Sequence, residues 1–355
     1  MGVLARNEWL TISIALLASA LAGILDYTNA NAVLRFAIGA VALAVLAALV
    51  GMATEQLGNR LGPGATGVLQ SALGNLPELF FGIFALRAGL VAVVQATLIG
   101  SILSNSLLVL GLAFLVGGLK HGTQRFDSDS PRMIATLTVL AVAALAVPTL
   151  AHTLHTPAEA HEEALSIACA IVLLIIFIAS IPISLQGGPS VVAKPEDENH
   201  SAQWPLWLAG TVLTLAGVSA AFVSDWFVAA LDPAIKTLHI SEAFTGLIIV
   251  AIAGNAVENV VGVQLAARNK PDYAVSVILN SSLQVALGLA PILVLLSFFV
   301  SSAHLTLVLP PLLVAALGLA AILGALIVYD GESIWLEGLV LIGLYGMVGV
   351  SFWWG

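Results

Sequence analysis

Gly74-Asn75-Leu76-Pro77-Glu78 and Gly254-Asn255-Ala256-Val257-Glu258 each set a carboxamide and a carboxylate inside a long apolar run. A charged side chain at the centre of a bilayer costs roughly 2.5–3.5 kcal/mol on insertion scales. Two such residues in one local setting need a reason to be there. No Lys or Arg lies within a helical turn of either glutamate. The surrounding runs decide the fold class, and the pair of motifs decides the architecture.

Of the 355 residues, 60% are hydrophobic and 9% charged, and the mean hydropathy is +1.06. A soluble domain carries roughly 25% charged residues. The chain therefore reads as an all-α polytopic membrane protein whose apolar runs are long enough to span a bilayer. The net charge of -9 comes mostly from acids in loops, where a solvated loop end is the ordinary reading. The single cysteine, Cys169, sits in an apolar run as a packed thiol. The start of the chain carries little charge and is followed by more spans, so it reads as the first membrane helix, not a cleaved signal.

Eleven transmembrane helices are expected, at about 9–25, 31–54, 65–87, 91–117, 133–150, 164–185, 204–231, 243–267, 273–299, 305–328 and 334–353. A break in the seventh near Asp225 is the alternative to one continuous helix. Gly62-Pro63-Gly64 interrupts the chain before the third helix, and a polar loop runs from Lys120 to Arg132. Residues 186–203, with Gly187-Gly188-Pro189 and the acidic run Glu196-Asp197-Glu198, form the one clear linker. With the N-terminus in the cytoplasm, the inner segments carry Arg6, Arg60, Lys120, Arg125, Arg132, Lys194, Arg268 and Lys270, and the outer ones only Arg35, Arg87 and Lys236. That asymmetry places the N-terminus inside and the C-terminus outside. Trp353 and Trp354 then sit where interfacial aromatics belong.

Sliding the sequence by 180 residues aligns the motifs without a gap. Gly74 falls on Gly254, Asn75 on Asn255, Glu78 on Glu258, Gly82 on Gly262, Ser101 on Ser281 and Ser104 on Gln284. The motifs lie on the third and eighth helices, an odd number of crossings apart, so their helices run in opposite directions. Residues 1–30 then form an extra helix, 31–185 a first five-helix repeat, 186–203 an acidic cytoplasmic linker and 204–355 a second, inverted five-helix repeat. Inverted repeats typically place a shared site near the bilayer midplane, at discontinuous helices. Pro77 predicts a break in the third helix; in the eighth, where Val257 replaces it, a break has to rest on Gly254.

Asn and Glu of each motif share a helix face. On the next helix Ser101, Ser104 and Asn105 share a face, matched by Asn280, Ser281 and Gln284 with Ser282 adjacent; Gln95 is a further buried amide. Brought together, Glu78, Glu258, Asn75, Asn255 and these side chains make a hard-oxygen set that suits Ca²⁺ better than soft transition metals. Without a basic partner the carboxyls are either protonated or ionised against a bound cation. A site alternating between those states exchanges protons for a cation, and two carboxyls suit one divalent ion for up to two protons. Reorientation of an empty, ionised site is costly, which keeps the exchange strict. A lone intramembrane glutamate is often a protonated hydrogen-bonding partner between helices, and Ser or Asn often serve as packing glue; the symmetric pair with polar flanks fits that poorly. Asp225 and Asp232 read as loop-end acids. His152, His155 and His161 lie beside Glu159, Glu162 and Glu163 without an ordered ligand spacing, so a solvated loop is the default and a metal or pH sensor the alternative. The run at 196–198 has a regulatory cation sensor as its alternative.

At these residues the sequence resembles the calcium/proton antiporters, the cation/proton exchanger branch of the calcium/cation antiporter superfamily. The first match is Gly74-Asn75-Leu76-Pro77-Glu78-Leu79, with Val94-Gln95-Ala96-Thr97-Leu98-Ile99-Gly100-Ser101-Ile102-Leu103-Ser104-Asn105 after it. The second is Gly254-Asn255-Ala256-Val257-Glu258 with Asn280-Ser281-Ser282-Leu283-Gln284, and a third is Asp330-Gly331-Glu332-Ser333. The resemblance implies an eleven-helix fold and Ca²⁺ transport driven by proton flow, with Glu78 and Glu258 as the cation-binding, proton-exchanging residues. Gln95, Ser101, Ser281 and Gln284 match positions along the same pathway. Many members carry a histidine directly after the second glutamate; here it is Asn259. An intramembrane enzyme would need a nucleophile–base pair or a Gly-x-Gly-Asp arrangement, and the sequence has neither, so a transporter is expected; a compact chain without targeting extensions suggests a prokaryotic plasma membrane. Its partners are the lipid bilayer and the transported ions, with no resident cofactor and no nucleic acid. A monovalent cation (Na⁺ or K⁺)/proton antiporter of the same fold is the alternative. No long N-terminal extension is present, so regulation by such a tail is not expected.

Overall fold

The computed structural model describes residues 4–61, 73–127, 129–185 and 204–354. Gly62-Pro63-Gly64, the linker at 186–203 and the first part of the expected third helix lie outside the described residues. The helices are α1 (Arg6–Tyr27), α2 (Ala32–Leu61), α3 (Leu76–Arg87), α4 (Val91–His121), α5 (Asp129–Thr153) and α6 (Glu162–Leu185). They continue as α7 (Leu206–Leu238), α8 (Glu242–Gly254), α9 (Ala256–Ala267), α10 (Pro271–Val300), α11 (Pro311–Ile327) and α12 (Trp335–Ser351). Among the described residues, 7 helices are long and apolar enough to cross a membrane, or 8 with α8 and α9 counted as one bent span. Exposed Leu16, Leu17, Ile175, Ile178 and Val340 face outward from the bundle, as residues meeting lipid do.

The long helices α2 and α7 pack along each other, and α1 lies against α2. Phe227 of α7 stacks on Phe36 of α2 at 5.0 Å between ring centroids and meets Phe81 of α3 at 5.8 Å. Two further contacts mirror one another. The second half of α4 packs on α12, and the second half of α10 packs on α6; α5 and α11 pack together.

The backbone repeats as well. Asn75 has φ -94 and ψ 20, and Asn255, 180 residues on, has φ -88 and ψ 23. Each interrupts a helical path and starts a helix of 12 residues. Each of those helices ends in a turn with a left-handed residue, Gly89 (φ 79) or Asn269 (φ 57). The next helix carries a π-helical turn in each case, Ser104–Val109 in α4 and Val285–Leu289 in α10. A third π turn, Thr245–Val250, lies in α8. Such insertions gather at functional sites, because they re-aim side chains along an otherwise regular helix.

Both motifs break at Gly-Asn, and in the first the break comes directly before Pro77, as expected. Pro77 falls in the first turn of α3, where its missing N–H is tolerated. α8 and α9 are bent by 61°. Several boundaries depart from expectation. α7 runs unbroken past Asp225, because an exposed aspartate does not interrupt the backbone ladder. The helix expected from 305 begins only at Pro311. Pro310-Pro311 explains this, since the residue before a proline is driven out of the helical region. The loop expected from Lys120 to Arg132 shortens to a few residues and holds a two-residue strand, Gln124–Arg125, that pairs antiparallel with Glu332–Ser333.

Loop contacts sort into two ends. At one, Gln124 Nε2 donates to Ala266 O and Asn269 Oδ1, both at 3.0 Å, and the Asp127 amide donates to Asp272 Oδ1 at 2.5 Å. At the other, Ser301 Oγ donates to Leu86 O at 2.8 Å, His304 pairs with Glu163 at 3.0 Å, and Ser241 donates to Phe352 O. Trp353 packs edge-on against Phe244 at 4.7 Å, so it fixes the end of the chain to the start of α8.

Candidate functional site

The site is built where the two interrupted helices meet. Gly100 of α4 and Gly246 of α8 let the two backbones touch. A Cβ on Gly246 would stand 2.5 Å from Val93 O and 3.0 Å from Thr97 N, and one on Gly100 would stand 2.6 Å from Leu247 Cα. This close crossing brings the start of α3 beside the end of α8. There Glu78 lies against Gly254: a Cβ at Gly254 would be 2.8 Å from Glu78 Oε1 and 2.9 Å from its Cγ. The carboxylate of the first motif therefore occupies the space left by the glycine of the second.

Glu78 is buried, and Glu258 is half-buried. The two carboxyl groups are close enough to act on each other electrostatically, and the Ser281 side chain lies within hydrogen-bonding reach of Glu258. Among the described residues, Lys and Arg ion pairs go to Asp26, Glu332 and Asp232, and none goes to either glutamate. Asn105 ties the two halves together. Its Nδ2 donates to Asn255 Oδ1 at 2.8 Å and to Ser281 Oγ at 2.9 Å. Asn255 Nδ2 in turn donates to Ala251 O at 2.8 Å, closing the last turn of α8 before the break. The Asn105 amide thus makes two donations, and the Asn255 amide makes one and accepts one.

One hydrogen-bond step further on, Ser106 and Ser282 share a hydrogen bond of 3.0 Å between their hydroxyls. Tyr345 of α12 donates its hydroxyl to Leu247 O at 3.4 Å. Four buried oxygens of α3 and α4 have no partner among the described residues: Glu78 Oε2, Ser101 Oγ, Ser104 Oγ and Asn105 Oδ1. Buried polar atoms are nearly always satisfied, so unsatisfied oxygens on four residues of two adjacent helices mark a place where something else supplies the contact.

Of the residues singled out from the sequence, Asn105, Asn255 and Ser281 are hydrogen-bonded to one another and Glu78 lies against Gly254. Asn75, Glu78, Ser101, Ser104, Asn105, Asn255, Ser281 and Ser282 are buried, and Asn280 and Gln284 are half-buried. Gln95 is used differently. Its Nε2 donates to Thr306 O at 2.9 Å and Val308 O at 3.0 Å, holding the extended segment before α11. That role was not legible in advance, because the segment was expected to be helical and so to satisfy its own carbonyls. Tyr345 was missed for a related reason: a tyrosine in an apolar C-terminal helix gives no local sign of where its hydroxyl points. Asn259 donates to Ile252 O at 3.3 Å, and its Oδ1 is buried without a partner.

Comparison with known proteins gives the family. The sodium/calcium exchanger protein family model matches residues 31–186 and 208–354. A protein of Aphanothece halophytica named Ca(2+)/H(+) antiporter is 34% identical over 339 residues, covering 89% of each chain. Ca(2+)/H(+) antiporter ChaA of Bacillus subtilis is 35% identical over 323 residues, covering 89% of this chain and 91% of its own. The solved structure of native YfkE superposes with a TM-score of 0.83 at 31% identity, covering 97% of this chain and 99% of that one. The two matched segments fall on either side of residues 187–207. The chain belongs to the sodium/calcium exchanger protein family, and it is a membrane transporter, not an enzyme.

Proposed function

We propose that this protein exchanges Ca²⁺ for H⁺ across a prokaryotic plasma membrane by alternating access, with Glu78 and Glu258 carrying either the cation or the protons. Relatives at 34% and 35% identity bear the name Ca(2+)/H(+) antiporter, which supports the choice of ions. The observation that carries the mechanism is Glu78. It is buried, has no basic partner among the described residues, keeps one oxygen unpartnered, and sits against the glycine of the opposite motif. A carboxyl group so placed is tolerated as a neutral acid or as the ligand of a cation, and poorly as a bare charge. Ca²⁺ takes oxygen ligands from carboxylates, amides and hydroxyls, and this site offers those from Asn75, Ser101, Asn105, Asn255 and Ser281.

The matched torsions at Asn75 and Asn255 and the paired π turns support two five-helix units of opposite orientation in an eleven-span chain, with α1 outside them. The mirrored contacts of α4 with α12 and α10 with α6 support the same layout. An N-terminus in the cytoplasm and a C-terminus outside rest on the Lys and Arg asymmetry of the loops. Alternating access then follows as rocking of one unit against the other around the shared carboxylates. The test is uptake of ⁴⁵Ca²⁺ into everted membrane vesicles under an imposed pH gradient. Uptake that collapses with the gradient, and that Glu78→Gln and Glu258→Gln each abolish, is the expected result. Dissipation of the gradient by Na⁺ or K⁺ in place of Ca²⁺ would assign the site to a monovalent ion. Transport by either variant at the parental rate would refute the two-carboxylate mechanism.

A further inference from the structure

The turn between α5 and α6 gathers donors of a kind absent from the two Gly-Asn-x-x-Glu motifs. His152 ends α5, Glu159 lies in the 3₁₀ turn Pro157–His161, and Glu162 opens α6. Their ligand atoms all lie within 4.8 Å of one another. His152 Nδ1 is 2.5 Å from Glu162 Oε1 and 3.6 Å from Glu159 Oε1. His155 Nδ1 stands 3.0 Å from the other oxygen, Glu159 Oε2. The backbone holds this arrangement in place. The His155 amide donates to His152 O at 3.1 Å, Thr156 N to Ala151 O at 3.0 Å and Glu159 N to Thr156 O at 2.9 Å, while His155 itself takes a left-handed φ of 51. The sequence had no ordered spacing here because the ligands come from three consecutive elements whose turn geometry sets their distances.

We propose that His152, Glu159 and Glu162 form a three-ligand binding site for a transition-metal dication such as Zn²⁺, separate from the transport pathway, with the fourth position left to water. Imidazole and carboxylate together suit Zn²⁺, whereas the oxygen-only midplane set suits Ca²⁺. In a tetrahedral zinc site the ligand atoms stand roughly 3.3–3.5 Å apart. The His152–Glu159 separation already fits, and the His152–Glu162 hydrogen bond has to open by about 1 Å. Coordination uses the Nδ1 lone pair of His152, so any proton shared with Glu162 is released as the metal binds. The metal would cross-link the end of α5 to the start of α6. These helices also hold the segment before α11, through Ser166 Oγ accepting from Leu307 N at 2.9 Å, Thr149 Oγ1 accepting from Leu309 N at 2.8 Å, and the Glu163–His304 pair.

The test is calorimetric titration of the full chain in detergent with Zn²⁺, and with Co²⁺ read by its visible absorption. One ion per chain is expected, with a proton released and an intense Co²⁺ band of tetrahedral type. His152→Asn and Glu162→Gln should each weaken binding at least tenfold and remove the band, while leaving the melting temperature without metal unchanged. Glu78→Gln/Glu258→Gln should leave binding intact; if that double variant does not fold, excess Ca²⁺ replaces it as the competitor and should not displace Zn²⁺. Zinc binding equal to the parent in His152→Asn and Glu162→Gln, loss of zinc to Ca²⁺, or no binding at all (ion pairs only) would each overturn the proposal.

Discussion

Gly254→Ala is the sharpest probe of how the two motifs meet. The new Cβ would stand 2.8, 2.9 and 3.1 Å from Oε1, Cγ and Cδ of Glu78. Turning the carboxyl end aside does not clear the Cγ contact, so the whole Glu78 side chain or the helix has to move. α8 has little room to retreat, because Gly246 already places its backbone against Val93 and Thr97 of α4. Overpacking of this kind costs typically about 1–3 kcal/mol. If that strain falls on the cation-loaded state, apparent Ca²⁺ affinity drops about 5- to 150-fold, at roughly 1.4 kcal/mol per tenfold. Glu78→Asp withdraws the carboxyl by one methylene and lowers affinity by itself. In the double variant the shorter side chain makes room for the methyl, so the two losses should not add; a coupling of about 1 kcal/mol or more is the expected reading of the double-mutant cycle. Initial rates of ⁴⁵Ca²⁺ uptake over a range of Ca²⁺, in vesicles with equal protein, give the four affinities. Parental affinity in Gly254→Ala, or simple addition of the two losses, would refute contact between Glu78 and Gly254 as the geometry of the working site.

Asn105→Leu removes the donor shared by Asn255 Oδ1 and Ser281 Oγ, leaving buried acceptors at about 1–3 kcal/mol each. A lower melting temperature and weaker Ca²⁺ affinity are expected together, and an unchanged protein on both counts would deny Asn105 its bridging role. Gln95→Leu deletes two hydrogen bonds to the segment before α11, worth roughly 1 kcal/mol each. It should lower thermal stability and leave the order of cation preference unaltered; a changed order in competition assays would place Gln95 in the pathway after all. On the proposed mechanism protons and Ca²⁺ compete for the same carboxyls, so raising the pH on the loading side should tighten apparent Ca²⁺ affinity and lowering it should weaken it. Affinity independent of pH, measured with equal pH on both sides, would separate proton binding from the two glutamates.

Much of this was readable before any coordinates. Composition fixed a helical membrane protein, since so little charge leaves no soluble surface. The two Gly-Asn-x-x-Glu stretches at a constant offset located the carboxylates, and their polar neighbours on α4 and α10 followed from helical spacing. Pro77 marked the break, and its place after Asn75 puts it in the first turn of α3. Errors arose where a local signal has two structural meanings. Apolar residues from 305 onward match a helix in hydropathy, but Pro310-Pro311 leaves the preceding stretch extended, with Gln95 and Thr149 supplying hydrogen bonds to it. Asp225 carries a charge without breaking α7.

The sequence by itself determined which groups cannot be satisfied locally: two glutamates in apolar helices with no basic neighbour. That is a property of burial and spacing, and both are written along the chain. Which atom satisfies each group was decided only in three dimensions, because helices crossing at Gly100 and Gly246 set contacts between residues 150 or more positions apart. The crossing seats Glu78 on Gly254, gives Asn105 two acceptors from the other half, and leaves Glu78 Oε2, Ser101 Oγ, Ser104 Oγ and Asn105 Oδ1 without partners among the described residues. Periodicity predicts the face a side chain shares, whereas its partner depends on the angle and depth at which two helices meet.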